Sequence, residues 1–408
     1  MKKYTWIDRL ALRGGFGYRG SINNSGVYPF SFYTTNASGA NYSGIVYADQ
    51  ITYGNPVLQW EKKQNIDGGI EMSFLKGRVN AEFTLFSEKV TGLIGPVQVP
   101  ASSGRVQTTS NSASLSNKGY EIALRLEPVK TRDFLWEIGG NIAWIKNEVL
   151  STYYSSIPSQ ENSADAYMSK FVQGYPVDAW FGLKFAGIDP STGHVLAHAQ
   201  KQSQVMQNGK PSFSYQDEVI DVTATPNSEI VSDYRPYYLG SRQPDFYGGL
   251  NTRFVYKTWD LYVGFSYAAG NNILKFNQGV SSPYGGSGQG SDYNVARTNV
   301  LSKSANRWRT PGDQTDIPQY YRFSNAFNNI FTDYNLQSGS YLKCQSIMLT
   351  YRFPQTMLGH SGITNLKLGA GVTNVFTLTN YEGTDPETQQ AFGYPNTRMY
   401  SFTLEVGI

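Results

Sequence analysis

Apolar and polar residues alternate strictly along several stretches of the chain, which is the pattern of a β-strand with two unlike faces. In the clearest case, residues 66–74 and 79–85 alternate in this way on either side of a tight turn at residues 75–78. The polar positions include Glu71 and Glu82, so this face is too charged to be the core of a soluble β-sandwich. The pattern predicts a hairpin with one apolar face and one water-facing face.

The same alternation predicts about twelve strands in all. The other strands fall at residues 10–18, 120–126, 136–144, 181–185, 194–200, 246–256, 261–267, 347–353, 366–372 and 400–408. Short turns are predicted at residues 75–78, 128–132, 257–258 and 354–363, and long polar loops at 21–54, 95–110, 151–170, 201–241 and 277–338. Alternating short and long connections are typical of an outer-membrane β-barrel, with short periplasmic turns and long extracellular loops. The predicted fold class is therefore all-β, a transmembrane antiparallel β-barrel.

Composition narrows this interpretation. The chain has 408 residues, of which 14% are aromatic and only 16% are charged. No apolar run approaches the roughly 20 residues that a membrane-spanning helix needs. A closed barrel satisfies its backbone through strand pairing and contacts lipid with every second residue only. We therefore expect a multi-pass β-barrel in contact with outer-membrane lipid.

Charge and cysteine content exclude other classes of protein. The net charge is +3, and the 34 Lys and Arg residues are scattered among 31 Asp and Glu residues. With no basic patch, the sequence predicts no nucleic-acid partner. The single cysteine, Cys344, excludes an intramolecular disulfide framework and is expected to be a small apolar core residue.

Nothing in the sequence predicts catalysis. His194 and His198 are four residues apart, a spacing that would share one face of a helix, but their surroundings favour a strand or a turn. No nucleophile elbow, phosphate-binding loop or cysteine pair occurs. Inward-facing carboxylates such as Glu137 are expected to be solvated or to pair with Arg125 and Arg253. We expect no catalytic residue, no metal site, no cofactor and no enzyme activity.

The predicted external loops carry aromatic residues among Asn, Gln and Ser, a mixture that can stack on sugar rings and bind hydroxyl groups. The candidate ligand-binding residues are Tyr237, Tyr238, Trp308, Tyr320, Tyr321, Phe331 and Tyr334. Two alternatives stay open at this point: these aromatic residues pack the loops against one another, or they form an interface with a partner protein.

Seven short segments resemble, in order, those of the SusC/RagA-type TonB-dependent outer-membrane transporters of Bacteroidota. They begin with Asn55-Pro56-x-Leu58-x-Trp60-Glu61-Lys62 and Asn117-Lys118-Gly119-x-Glu121. The others are Arg307-Trp308-x-x-Pro311-Gly312-Asp313, Ser340-Tyr341-Leu342-Lys343, Tyr351-x-Phe353-Pro354, Asn374-Val375-Phe376-Thr377 and Gly383-Thr384-Asp385-Pro386-Glu387.

The resemblance implies that residues 1–408 are a partial barrel domain, the C-terminal half of such a transporter. An N-terminal plug, a TonB box and a signal peptide are expected to be absent from this chain, so that TonB would act only through the missing part. The implied function is import of an oligosaccharide, or less often a peptide, together with a SusD-like surface lipoprotein that closes over the barrel. The alternatives are a stand-alone passive porin, an adhesin-like barrel, or a non-functional remnant of a broken gene.

Overall fold

The structure, a computed structural model, is almost entirely built from antiparallel strands. It describes residues 6–21, 30–36, 47–52, 54–103, 107–152, 168–169, 172–207, 210–274, 305–319, 332–359, 362–389 and 394–408.

The first half of the described chain contains strands β1 to β12. They are β1 (Ile7–Ser21), β2 (Phe32–Asn36), β3 (Tyr47–Thr52), β4 (Glu61–Phe74), β5 (Val79–Gln98), β6 (Gln107–Lys130), β7 (Phe134–Ser151), β8 (Met168–Ser169), β9 (Ala179–Gly182), β10 (Lys184–Ile188), β11 (Val195–Gln207) and β12 (Lys210–Asp221).

The second half contains one short helix, then strands β13 to β19, a second short helix and two last strands. These are α1 (Asn227–Asp233), β13 (Tyr234–Arg235), β14 (Tyr237–Ser241), β15 (Phe246–Tyr256), β16 (Trp259–Ala269), β17 (Asn272–Leu274), β18 (Leu336–Ser338), β19 (Tyr341–Arg352), α2 (Gln355–Leu358), β20 (Asn365–Thr379) and β21 (Met399–Gly407). Single 3₁₀ turns occur at Ala101–Ser103 and Asp333–Asn335. None of the described helices is long and apolar enough to cross a membrane.

Ten strands form one antiparallel sheet, here called the wall, in the order β1-β4-β5-β6-β7-β15-β16-β19-β20-β21. Its strands follow one another along the chain except where β2 and β3, β8 to β14, and β17 and β18 leave the sheet. Ten wall strands are fewer than the expected twelve. The segments at residues 181–185 and 194–200, expected in the wall, belong to separate small sheets.

The two faces of the wall differ as the alternation predicts. One continuous row across four strands is apolar, since Ile70 lies opposite Phe83, Phe83 opposite Ile122, and Ile122 opposite Ile142. The next row carries Glu71 opposite Glu82. Large side chains on the apolar face are widely exposed, including Leu12 at 77% and Phe402 at 86%. An apolar belt whose large side chains stay exposed in the described part of the chain matches the hydrocarbon layer of a bilayer.

The tight connections lie at one end of the wall, here called the short-turn end. Leu75, Lys76 and Gly77 have φ values of 56°, 59° and 78°, and Lys257 has φ 52° in the two-residue turn 257–258. Left-handed residues are what tight hairpins between twisted strands require. Both turns are confirmed. The turn expected at residues 128–132 is displaced, because β6 continues through a bulge to Lys130 and leaves only residues 131–133 as the connection.

Three predicted loops contain regular structure. The expected loop at 95–110 is largely strand, since β5 and β6 extend as a long ribbon paired from Val79–Leu126 up to Gln98–Gln107. The expected loop at 21–54 contains the hairpin of β2 and β3. The expected polar stretch at 201–241 contains the β11–β12 hairpin, α1, β13 and β14. In each case the strands carry Ser, Thr, Gln and Asn, so their sequence resembles that of a loop.

At the end of the wall opposite the short-turn end, residues 172–207, 210–241 and 305–319 form a body with its own core, here called the loop unit. Its main sheet has the order β10-β11-β12, with β13 paired to β11. Beneath this sheet lies a cluster of buried side chains from Leu183, Ile188, Val195, Ala197, Ala199, Ile220, Val222, Ile230, Tyr234 and Trp308. A second sheet has the order β14-β9-β8. Backbone hydrogen bonds of 2.9 Å from the Val149 N–H to the Tyr175 carbonyl and from the Gly174 N–H to the Val149 carbonyl link this region to β7 of the wall. The loop unit therefore has its own small core.

Thiol labelling in cells tests this topology. We expect Ser203→Cys, in the loop unit, to react with a polymer-linked maleimide on intact cells, and Lys76→Cys, at the short-turn end, to react only after the outer membrane is permeabilised. Cys344 is 0% exposed and gives no background signal. Labelling of Lys76→Cys but not Ser203→Cys on intact cells would reverse the orientation.

Candidate ligand-contact surfaces

The inner face of the wall carries a series of ion pairs near the short-turn end. Glu71 pairs with Arg9 at 3.1 Å and with Arg13 at 3.6 Å, and Arg13 also contacts Glu82. Farther along, Lys367 pairs with Glu405 at 2.7 Å. A row of charges facing hydrocarbon would be costly. This face therefore lines the interior.

Glu137 joins two arginines on neighbouring strands of the same face. Its carboxylate lies 2.6 Å from Arg125 and 3.4 Å from Arg253, and Arg253 also reaches Asp260 at 2.5 Å. The expected pairing of an inward carboxylate with Arg125 and Arg253 is present. These partly solvated networks fix side chains in place, and each surface-type pair contributes little to stability.

The first family-like segment, residues 55–62, binds to strands β5 and β6 at the point where their pairing is irregular. The Asn55 amide donates to the Thr109 carbonyl at 2.8 Å. The Glu61 carboxylate accepts the Ile94 backbone N–H at 2.9 Å. This N–H lies where the β5–β6 register shifts twice, between Thr91 and Ile94. The segment therefore satisfies backbone groups that the bulge leaves unpaired.

The segment at residues 117–121 ties three wall strands to the loop unit. Asn117 donates to Glu88 at 3.3 Å and accepts from the Asn147 amide at 2.6 Å. The Asn147 side-chain oxygen Oδ1 in turn accepts the Val177 backbone N–H at 2.8 Å. Gly119 lies so close to its neighbour that a Cβ there would be 2.2 Å from the Trp144 carbonyl oxygen. Glycine at this position is required by the close approach of backbone.

The segment at residues 307–313 packs onto the turn that precedes β11. The Trp308 indole N–H and the Gly312 backbone N–H both donate to the Pro190 carbonyl, at 2.9 Å and 2.8 Å. The Asp313 carboxylate accepts the backbone N–H groups of Arg309 and Thr310 at 2.9 Å and 3.0 Å, and these hydrogen bonds keep its pKa below its usual value. The segment is a compact loop that covers the core of the loop unit.

Two further segments meet in a buried ion cluster. Lys343 on β19 is 3% exposed, and its ammonium group lies 3.4 Å from Asp385 and 2.5 Å from Glu387. Asp385 also accepts the Asn396 amide at 2.6 Å. The 340–343 and 383–387 segments are therefore one structural unit, in which a wall lysine holds the connection between β20 and β21.

The aromatic candidates fall into different environments. The Trp308 side chain is buried in the core of the loop unit, and its indole N–H already donates to Pro190. It therefore packs the loop. The Tyr334 ring packs on Phe185 at 4.8 Å between centroids, and burial raises its pKa to about 12. Tyr237 donates its hydroxyl to Asp217 at 2.6 Å. Three candidates, Tyr320, Tyr321 and Phe331, lie outside the described residues.

Tyr238 borders a cleft of about 400 Å³ where the loop unit meets the wall. Its ring lies 5.2 Å from that of Tyr175, which in turn packs edge-on against Phe181 at 5.0 Å. Burial and the Asp245 carboxylate raise the pKa of Tyr238, so its hydroxyl remains a hydrogen-bond donor at neutral pH. Polar groups from Asn147, Gln243 and Ser241 complete the lining.

Tyr175, Asn147 and Gln243 were not predicted as site residues, because their neighbours along the chain carry no distinctive pattern. Stacked aromatic rings with amides beside them can bind a sugar ring or a peptide group.

The two histidines that the structure describes, His194 and His198, are not arranged as a metal site. His194 lies in a turn and its Nδ1 is 2.7 Å from the Asp221 carboxylate, whereas His198 is on β11. Among the residues that the structure describes, no group of three or more His, Cys, Asp or Glu side chains could hold a metal ion.

Comparison with known proteins gives a consistent result. Residues 3–201 match the family model for the β-barrel of TonB-dependent receptor-like proteins. The chain is 26% identical over 426 residues to the TonB-dependent receptor SusC of Bacteroides thetaiotaomicron, an alignment that covers 100% of this chain and 38% of SusC. It is 23% identical over 414 residues to TonB-dependent receptor P3 of Formosa agariphila, covering 95% of this chain and 39% of that receptor.

A solved structure of the RagAB peptide transporter superposes with a TM-score of 0.76 at 21% identity, covering 99% of this chain and 41% of that chain. The chain therefore resembles the TonB-dependent receptors along nearly its whole length, and residues 3–201 match the family's β-barrel. The resemblance read from the seven segments and the predicted antiparallel β-barrel fold are both confirmed. These matches support the predicted location in the outer membrane. It spans about two fifths of the length of the relatives it matches.

Proposed function

We propose that residues 1–408 form part of the barrel wall of an outer-membrane nutrient importer, which captures an oligosaccharide at its loop end and passes it inward. The observation that carries the proposal is the two-faced wall. Its apolar belt suits lipid, its charged face suits a polar interior, and its loop end bears an aromatic cleft next to Tyr238.

In this proposal, the barrel wall works together with a plug, a surface lipoprotein and TonB. A plug filling the interior would rest on the charged inner face, whose ion pairs near Glu71 and Glu137 present both charge signs. A SusD-like surface lipoprotein would close over the loop unit, and energy from TonB would reach the barrel through the plug. Because this chain is similar to a solved structure of the RagAB peptide transporter, peptides are the second substrate class to test.

Growth of the native host after in-frame deletion of the coding sequence tests this function. We expect slower growth on one class of oligosaccharide as the only carbon source, unchanged growth on the component monosaccharides, and recovery when the full gene is restored. A growth defect confined to peptides would reassign the substrate. Unchanged growth on every oligosaccharide and peptide, with the receptor present in wild-type outer membranes, would contradict import.

A further inference from the structure

The small sheet of the loop unit has an open face opposite its core. On β11, the core side carries Ala197 and Ala199, and the open side carries the intervening polar residues. Three glutamines follow one another on this side, each directly opposite a residue of β12. The pairs are Gln200 with Asp217, Gln202 with Tyr215, and Gln204 with Phe213. Successive pairs on one face are about 7 Å apart, so the glutamines and their partners form an extended strip.

Arg235 lies across the middle of this strip. Its backbone is opposite Gln200 on one side of β11, and its guanidinium carbon is 4.9 Å from the centre of the Tyr215 ring on the other side. Among the described residues, Arg235 forms no ion pair. A guanidinium that lies over an aromatic ring can still offer its N–H groups to a planar anion.

The carboxylates near the strip are already occupied. Asp217 accepts the Tyr237 hydroxyl at 2.6 Å and the Gln200 amide at 3.2 Å, and these two hydrogen bonds lower its pKa. Asp221 accepts the backbone N–H groups of Thr223 and Ala224, each at 2.9 Å, and contacts His194. These carboxylates therefore already accept hydrogen bonds from the chain, whereas Arg235 is a cation of the strip whose donors are uncommitted among the described residues, which favours an anionic ligand group at Arg235.

The rest of the strip can hold a ring. Phe213 is 55% exposed, and Gln204 lies directly opposite it and is also exposed. The side-chain amide nitrogen of Gln202 donates to the Ser232 backbone carbonyl at 3.0 Å, which leaves the side-chain oxygen of Gln202 as an acceptor. An aromatic face with amide groups beside it suits a sugar ring, whose C–H face stacks while its hydroxyls hydrogen-bond.

We propose that this strip binds an acidic oligosaccharide, with a sugar carboxylate on Arg235 and an adjacent ring stacked on Phe213. The inference rests on the proposed function for its ligand class and adds a second contact surface, on a different sheet from the Tyr238 cleft. The sheet would hold the ligand at the loop end by ionic and stacking contacts together.

The test is direct binding to the purified full chain in detergent, with oligogalacturonate as the probe and a neutral gluco-oligosaccharide of equal length as the reference. We expect Arg235→Gln to weaken oligogalacturonate binding at least tenfold, and Phe213→Ala to weaken it severalfold. The matched control is Lys76→Gln, which removes one positive charge at the short-turn end and should leave the affinity unchanged.

Several outcomes would overturn the inference: equal binding of the neutral probe, an Arg235→Gln affinity equal to wild type, loss of affinity in Lys76→Gln as large as in Arg235→Gln, or tighter binding of an acidic peptide such as oligoglutamate. Arg235→Lys, which keeps the charge without the planar group, should bind at intermediate strength and shows that the loss is not one of folding. Binding is measured on isolated protein, so its failure would leave growth on neutral oligosaccharides, and the proposed import, intact.

Discussion

Replacement of Lys343 by methionine is expected to destabilise the protein by about 3–5 kcal/mol, the range for breaking a buried ion pair by removing one partner. The ammonium group of Lys343 is buried between Asp385 and Glu387, and its removal leaves two carboxylates without a cation. The segment between β20 and β21 should then detach from the wall. The measurement is urea unfolding of the purified protein in detergent, followed by tryptophan fluorescence.

Two further variants separate this effect from general damage. Lys146→Met removes one side of the exposed pair with Glu148, where the two side chains are 65% and 40% exposed and 3.8 Å apart, and should cost no more than about 1 kcal/mol. Adding Asp385→Asn and Glu387→Gln to Lys343→Met removes the uncompensated charges and should recover much of the loss. Equal unfolding midpoints for Lys343→Met and Lys146→Met would show that the cluster does not stabilise the fold.

Replacement of Gly119 by alanine is also expected to lower the stability of the protein. The new Cβ would lie 2.2 Å from the Trp144 carbonyl oxygen and 2.7 Å from the Phe86 ring. Because the first contact is with backbone, β6 must move away from β7 and weaken the hydrogen bonds between them. The expected cost is about 2–3 kcal/mol, the upper part of the range for overpacking, and urea unfolding measures it.

Gly17 provides the matched control for this substitution. It also lies within a wall strand, and a Cβ there would meet nothing within 4 Å. Gly17→Ala should leave stability unchanged or raise it by about 0.5–1 kcal/mol, because alanine loses less backbone entropy on folding. If Gly119→Ala unfolded at the same urea concentration as Gly17→Ala, this would contradict the inference that the close approach of β6 to β7 requires glycine at position 119.

The wall could be predicted from the sequence because it obeys a simple physical rule. Each spanning strand must place apolar residues on lipid and polar residues inside, which imposes a period of two on segments such as β4 and β15. Tight turns with left-handed residues, such as Lys257, mark the strand ends. Outside the bilayer no lipid requires every second residue to be large and apolar, so the predictions are less complete there.

The loop unit shows why. Strands β11 and β12 lie outside the bilayer, so their open face can carry glutamines while their core face carries Ala197, Ala199 and Ile220. The sequence predicted only the first part of β11, at residues 194–200, because the rest of the hairpin has the composition of a polar loop. Conversely, residues 181–185 are apolar because they pack in a small core. From the sequence alone, that apolarity could not be distinguished from contact with lipid.

The family-like segments illustrate a second limit. Their residues predicted the family but not their own roles, which depend on partners far away in the chain. Trp308 looked like a ligand contact and is a core residue bound to Pro190. Lys343 and Asp385 belong to segments 42 positions apart and form one cluster. Tyr238, by contrast, borders a cleft, and its role as a ligand contact stays a prediction.

Energised uptake tests whether this barrel takes part in import driven through TonB. Cells of the native host would be given a fluorescent oligosaccharide of the class whose use the deletion impairs, with and without a protonophore that collapses the inner-membrane potential. We predict accumulation that requires this chain and stops when the protonophore is added, as expected for import driven through TonB. Receptor-dependent uptake that continues at an undiminished rate without the potential would contradict it and would indicate a passive porin.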